Sequence, residues 1–150
     1  VTEGAAAATA RWLCERLRAV GCSAHLLSVA RDPEQHVDLV RARRSADGVV
    51  LVEPPGVPDA LTGLAQSTTA AVLYAVGPVS LSATVAQVAG QVGAVSQVSG
   101  LPLDDTAAVC GHGLCGACDL PLAGRRESWV RACSDGPVLR GDLVDWGRAG

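Results

Sequence analysis

From Ala60 to Leu103 the chain carries no charged residue. A segment that long without charge has to be covered by something, and this limits the folds open to it. A single membrane-spanning helix is a poor solution, because Gly77, Pro78, Gly90 and Gly93 interrupt the stretch and several Ser and Gln lie within it. Two solutions remain. Either the stretch is a buried sheet strand with its helix in an α/β domain, or another subunit covers part of it. The 150 residues suit one domain, or one domain with a small module, and 49% of them are apolar. Only 3% are aromatic, with no Phe and no Met, so the core has to be built from Val, Leu and Ala.

The remainder of the chain supports the α/β solution. Residues 5–20 read as a helix with Ala6, Ala10, Leu13, Leu17 and Val20 on one face, stopped by Gly21. His25 to Ala30 reads as a strand. Asp32-Pro33-Glu34 opens a predicted helix reaching about Arg44. Asp47-Gly48 is a turn before a buried strand, Val49 to Val52, and Pro54, Pro55 and Pro58 mark a loop. A short helix around Asp59–Gln66 precedes the strand Ala71–Val76. The next helix carries Leu81, Val85, Val88 and Val92 on one stripe, with Ser80 or Ser82 as N-cap, and Val95 to Val98 forms a further strand. Apolar strands alternating with helices predict a small parallel sheet with flanking helices.

At Gly100-Leu101-Pro102 this alternation stops. The expected division is an α/β domain over residues 1–100 and a small module over 101–150. The module holds four of the six cysteines, Cys110, Cys115, Cys118 and Cys133, spaced C-x4-C-x2-C-x14-C. The first three match the loop of plant-type [2Fe–2S] proteins, whose fourth thiolate arrives from further along the chain. Gly111, Gly113 and Gly116 lie between them. Glycine there permits positive φ and close approach, so that amide N–H groups can point at sulfur. A structural zinc site remains an alternative, although such sites pair two short knuckles and only one C-x2-C is present. A redox-active C-x-x-C is another, but it has no use for Cys110 and Cys133. His112 reads as a solvent-facing loop residue or a donor tuning the site. Cys14 and Cys22 read as small packing residues.

The N-terminal VTEGAAAATARW lacks a basic region followed by an apolar run, so a secretory signal is not expected and the default location is cytoplasmic. Thiols in a reducing compartment favour metal ligation over disulfides. A net charge of −3 without a basic patch argues against a nucleic-acid partner, and no membrane partner is expected.

Three segments resemble the electron-transfer subunit of two-subunit dihydroorotate dehydrogenases, in the ferredoxin-reductase superfamily. They are LYAVGPVSLSATVAQVA, VCGHGLCGAC and RACSDGPVLRGDLVDW. Cys133-Ser134-Asp135-Gly136-Pro137-Val138 matches the family's Cys-x-Asp-Gly-Pro-Val, and Tyr74-Ala75-Val76-Gly77-Pro78 matches its Tyr-Ala-Cys-Gly-Pro with Val76 in place of Cys. The resemblance covers residues 71–146 strongly and is collinear before that. It implies a [2Fe–2S] cluster on Cys110, Cys115, Cys118 and Cys133, relaying electrons to or from an FMN-bearing dehydrogenase subunit in a heteromeric complex. The family also has an FAD barrel, for which the chain has no room, so a separate FAD-bearing chain is an expectation. Where the family has its glycine-rich nucleotide loop, this sequence has Thr2-Glu3-Gly4-Ala5. Too few glycines and an acidic side chain would keep a pyrophosphate away, so neither NAD nor FAD binding is expected of this chain. A purely structural or regulatory subunit is the competing reading.

Overall fold

The computed structural model describes residues 1–99, 109–125 and 127–149. The expected joint at Gly100-Leu101-Pro102 lies outside the described residues. The first part alternates strand and helix: β1 (Thr2–Glu3), α1 (Ala7–Ala19), β2 (His25–Val29), α2 (Leu39–Ser45), β3 (Gly48–Val52), α3 (Val57–Ser67), β4 (Val72–Ala75), α4 (Val79–Val92) and β5 (Val95–Ser99). The second part holds β6 (Asp119–Pro121), β7 (Trp129–Arg131), the single-turn α5 (Ala132–Asp135) and β8 (Val138–Arg140).

The strands β1, β2 and β3 are parallel, as are β4 and β5, and a parallel bridge from Thr2 to Val76 joins the two sets. Across the sheet the order is β3-β2-β1-β4-β5-β8, with β8 antiparallel to β5. This is a doubly wound order that reverses between β1 and β4. In β2, Leu26 packs with Ala10 and Cys14 of α1 and Ala42 of α2. Its neighbour Leu27 points the other way, into the main core with Val57 and Leu61 of α3 and Val85 and Val88 of α4. Both faces of β2 are thus covered, which is why its apolar run is continuous.

The uncharged stretch is the heart of this core. Leu81, Val85 and Val88 form the buried stripe of α4, and Val98 and Ala75 are buried beside them. Several details differ from the sequence reading. The expected helix over 33–44 breaks. A 3₁₀ turn at Pro33–Gln35 gives way to extended backbone at His36, and α2 starts only after Asp38, whose φ is 54°. Tertiary contacts hold this break: Asp38 accepts a 2.7 Å bond from Arg11, and Ser28 meets His36 Nδ1 at 3.0 Å. The N-cap of α4 is Pro78, and Ser82 is buried inside the helix. Strand β3 is half-buried with Leu51 exposed, because it lies at the sheet edge. Val20 and Cys22 are exposed, lying beyond the last turn of α1. Cys14 is buried in the α1–α2–β2 layer, as a packing residue should be.

The C-terminal segment closes back onto this body. Besides β8, Trp146 packs against the main core, and its indole N–H donates to the Gly141 carbonyl at 2.8 Å. A Cβ at Gly141 would stand 2.5 Å from Ser96 Oγ and 2.8 Å from Ala86 Cβ. Gly141→Val therefore overpacks the seam between β5, α4 and the returning chain. The expected cost is about 1–3 kcal/mol, read as a lower urea midpoint or melting temperature with an unchanged far-UV spectrum.

Candidate metal centre

The loop from Cys110 to Cys118 has left-handed backbone at each of its three glycines: φ is 73° at Gly111, 73° at Gly113 and 74° at Gly116. Side chains with a Cβ rarely adopt that conformation. Its effect is to turn successive amides inward. Cys110 Sγ accepts from the N–H groups of His112 (3.4 Å) and Leu114 (3.3 Å), and Cys133 Sγ accepts from Gly113 N–H (3.3 Å). Three consecutive amides thus face sulfur, as in anion-binding backbone nests. Backbone N–H groups, that of His112 foremost and then those of Cys115 and Leu114, lower the Cys110 thiol to about 6. The loop stabilises thiolate.

A β-hairpin delivers the fourth cysteine. Strands β6 and β7 pair antiparallel with Asp119 opposite Arg131. The ladder continues one step to Ala132 N–H, which donates to Cys118 O at 3.1 Å. Cys118, buried just before β6, is therefore level with the start of α5. The N–H of Cys133 then donates to Cys118 Sγ at 3.4 Å. The fourteen residues between these cysteines in the sequence are thus a hairpin that goes out and comes back.

The four thiols fall into two pairs. Cys110 and Cys115 are neighbours in the loop, and Cys133 lies beside Cys118, to whose Sγ its N–H donates. The neighbouring Cys118 thiol and then burial push the Cys133 thiol up. Among the described residues no three His, Cys, Asp or Glu side chains converge on one point as a mononuclear site requires. Four cysteines beside amide donors suit an iron–sulfur cluster. His112 is exposed and contributes its backbone N–H to the loop.

Sequence reasoning missed Arg131. Its Nε and Nη2 grip the Asp119 carboxylate at 2.8 and 3.2 Å, and Nη1 donates to the Gly113 carbonyl at 2.7 Å. One guanidinium thus ties the cysteine loop to both strands of the hairpin. It also holds Asp119 below the usual carboxylate range. Asp135, from the Cys-Ser-Asp-Gly-Pro-Val segment, accepts the Arg131 N–H at 2.8 Å and steadies the turn carrying Cys133. An Arg and an Asp twelve positions apart form no local pattern. Only the hairpin register makes them neighbours.

The other place where a doubly wound sheet takes a ligand is the crevice at the β1/β4 switch point. Here it is a hollow of about 160 Å³ with Glu3 in its wall beside Val29, Pro54 and Leu81. Gly4 has φ 57°, and Gly77 approaches the Glu3 backbone, so the turn is tight, but it presents a carboxylate.

Residues 106–145 match the protein family described as the iron–sulfur cluster binding domain of dihydroorotate dehydrogenase B. No curated protein matches the chain at a significant level. Among solved structures, the chain is similar in fold to one from a study of the NADH-dependent reduced ferredoxin–NADP oxidoreductase and flavin-based electron bifurcation. The TM-score is 0.75 at 23% identity, over 99% of this chain and 53% of that one. The chain thus spans about half the length of that relative. Its C-terminal segment thus resembles the iron–sulfur cluster binding domain of dihydroorotate dehydrogenase B, and its α/β body has the fold of that solved structure.

Proposed function

We propose that the chain is an iron–sulfur electron-transfer component. In this reading it holds a [2Fe–2S] cluster on Cys110, Cys115, Cys118 and Cys133 and exchanges single electrons with a flavin-bearing dehydrogenase subunit. The observation that carries the reading is the set of backbone amides turned onto the sulfurs of Cys110, Cys133 and Cys118. When bound, such a cluster supplies a one-electron redox step. The protein's own part is electrostatic and positional. The amides of His112, Gly113 and Leu114 stabilise the excess negative charge on sulfur, and Arg131 fixes the loop against the hairpin. No acid or base is needed for electron exchange.

The loop also presents an approach. Leu114, at its tip, is 85% exposed, and Cys115 beside it is exposed. Electron tunnelling falls steeply with distance, so this face is the one that would meet the partner's flavin, for which FMN is the expectation. The acidic, glycine-poor turn at Thr2–Ala5 supports the view that this chain takes no pyrophosphate cofactor of its own. The division at about residue 100 remains part of the proposal, with the 101–150 module as the cluster carrier.

The test is spectroscopic. Anaerobically purified chain is expected to contain two irons and two sulfides and to give a rhombic S = 1/2 EPR signal after dithionite. Stoichiometric zinc without that signal would sink the reading. Arg131→Met keeps most of the aliphatic stem but removes the clamp. The expected outcome is a folded chain whose cluster is lost roughly 10-fold more readily to a chelator, as typically follows loss of an outer-sphere partner.

A further inference from the structure

The parallel sheet ends at β3, and the outer edge of that strand has no partner among the described residues. Edge strands usually carry some protection: a charge within the strand, a proline, a bulge or a covering helix. Here the strand is Gly48-Val49-Val50-Leu51-Val52, without charge or proline, and it pairs with β2 in unbroken register over all five residues. Ala30 N–H donates to Val52 O at 3.1 Å, so the backbones of Val52 and Val50 turn to β2. Those of Val49 and Leu51 turn outwards, with donors and acceptors free for another strand. Apolar side chains accompany this bare backbone. Leu51 is 44% exposed on the same face as Val49, the face that α1 and α2 cover. Asp38 and Ser45 mark the side of α2 that meets α1, through Arg11 and Glu15. Val40 and Arg43, one turn apart, lie on the opposite side, towards the edge, and Val40 is 66% exposed.

Charge along the edge has a direction. Arg43 and Arg44 end α2 just before β3 begins, and Glu53 follows the last residue of β3 at the far end. None of the three forms an ion pair among the described residues. Asp47, at the basic end, is already held by Arg18 Nε at 3.0 Å and by the Ala24 N–H at 2.8 Å. An edge that is basic at one end and acidic at the other is complementary to an antiparallel copy of itself.

We propose that the β3 edge is the seat of a second copy of this chain, paired antiparallel about a two-fold axis at Val50. In that register Val49 of each copy faces Leu51 of the other and exchanges both backbone bonds with it, and all five strand residues are used. The axis stands perpendicular to the sheet, so both α2 helices lie on the same side of it. Leu51 and Val40 of the two copies then cover the seam. Arg43 and Arg44 of each copy approach Glu53 of the other. Parallel pairing would instead gather the arginines of both copies at one end and the glutamates at the other.

The experiment is sedimentation velocity of the full chain from about 1 to 200 µM. Reducing conditions keep the exposed Cys22 from cross-linking. The expected result is a rise with concentration from the mass of one chain to that of two. Amide exchange at Val49 and Leu51 is expected to slow about 10-fold or more over the same range, while Val50, already bonded to β2, is slow throughout. Leu51→Pro removes an outward N–H and spares the bonds to β2, so this variant is expected to stay monomeric. Glu53→Arg is expected to weaken association about 10-fold, and so is the pair Arg43→Glu with Arg44→Glu. Combining all three restores opposite charges across the seam and is expected to recover the dimer. Should Leu51→Pro fail to fold, the charge series decides alone. A chain that stays monomeric to the top of the range overturns the proposal. So does a dimer that folded Leu51→Pro leaves intact, a triple variant no tighter than its parents, or growth beyond two copies. None of these readouts involves the four clustered cysteines, so they are independent of the iron–sulfur reading.

Discussion

Cys133→Ser is expected to give a folded chain that no longer retains iron and sulfide. Serine keeps the size of the side chain and the backbone N–H that donates to Cys118 Sγ, so α5 and the hairpin should stand. Only the thiolate is lost. The loss of cluster should exceed the roughly 10–100-fold that removal of an outer-sphere partner costs, because a direct ligand has gone. Iron and acid-labile sulfide analysis, with low-temperature EPR of the dithionite-reduced protein, reads the effect. Cys22→Ser is the control, being exposed and outside the constellation, and should leave both unchanged. Full iron content in the Cys133→Ser chain would remove the fourth ligand from the proposal. Paired with the flavin-bearing subunit proposed above, the same variant separates relay from scaffold. A complex that still assembles and still turns over with its natural electron donor or acceptor contradicts the relay.

The second large effect is expected at Gly113. Its φ of 73° is a conformation that costs a non-glycine residue about 1–3 kcal/mol, and a β-branched one more than most. A Cβ there would also stand 3.2 Å from Arg131 Cδ. The same residue donates its N–H to Cys133 Sγ and receives the Arg131 guanidinium on its carbonyl. Gly113→Val therefore strains the loop, crowds the clamp and turns away an amide aimed at sulfur. Reconstitution with iron and sulfide is expected to fail or yield a cluster lost within the preparation, while the α/β body melts as before. Gly124→Val gives the reference. Gly124 has φ 72° but no atom within 4 Å of its would-be Cβ, so it carries the backbone cost without the contacts. Equal cluster retention in the two variants would show that Gly113 matters only for its backbone.

Legibility in the sequence differed from element to element for physical reasons. Strands β2, β4 and β5 and the stripe of α4 are buried by their own period, so Leu27, Leu73, Val98, Leu81, Val85 and Val88 could be read directly. The four cysteines and their glycines were equally open, since spacing within a loop is a local property. What escaped depends on distant partners. The break before α2 is held by Arg11 and Asp38, twenty-seven positions apart. The clamp of Arg131 on Asp119 and Gly113 exists only once β6 and β7 are in register. Strand β1 was missed because two residues show no period, and its place is set by pairing with β2 and Val76.

The antiparallel strand β8 has a mechanical consequence. It begins five positions after Cys133 and is laced to β5 from Ser99 to Gln97. Behind it, Gly141 is wedged against Ser96 and Ala86. The turn bearing Cys133 is thus moored to the central sheet through a short tether. An arm that swings between two docking stations needs slack, and this side of the centre has little. In the proposed relay, any switching of the electron route would therefore have to come from movement of a partner across the Leu114 face, with the cysteine loop as a fixed terminal.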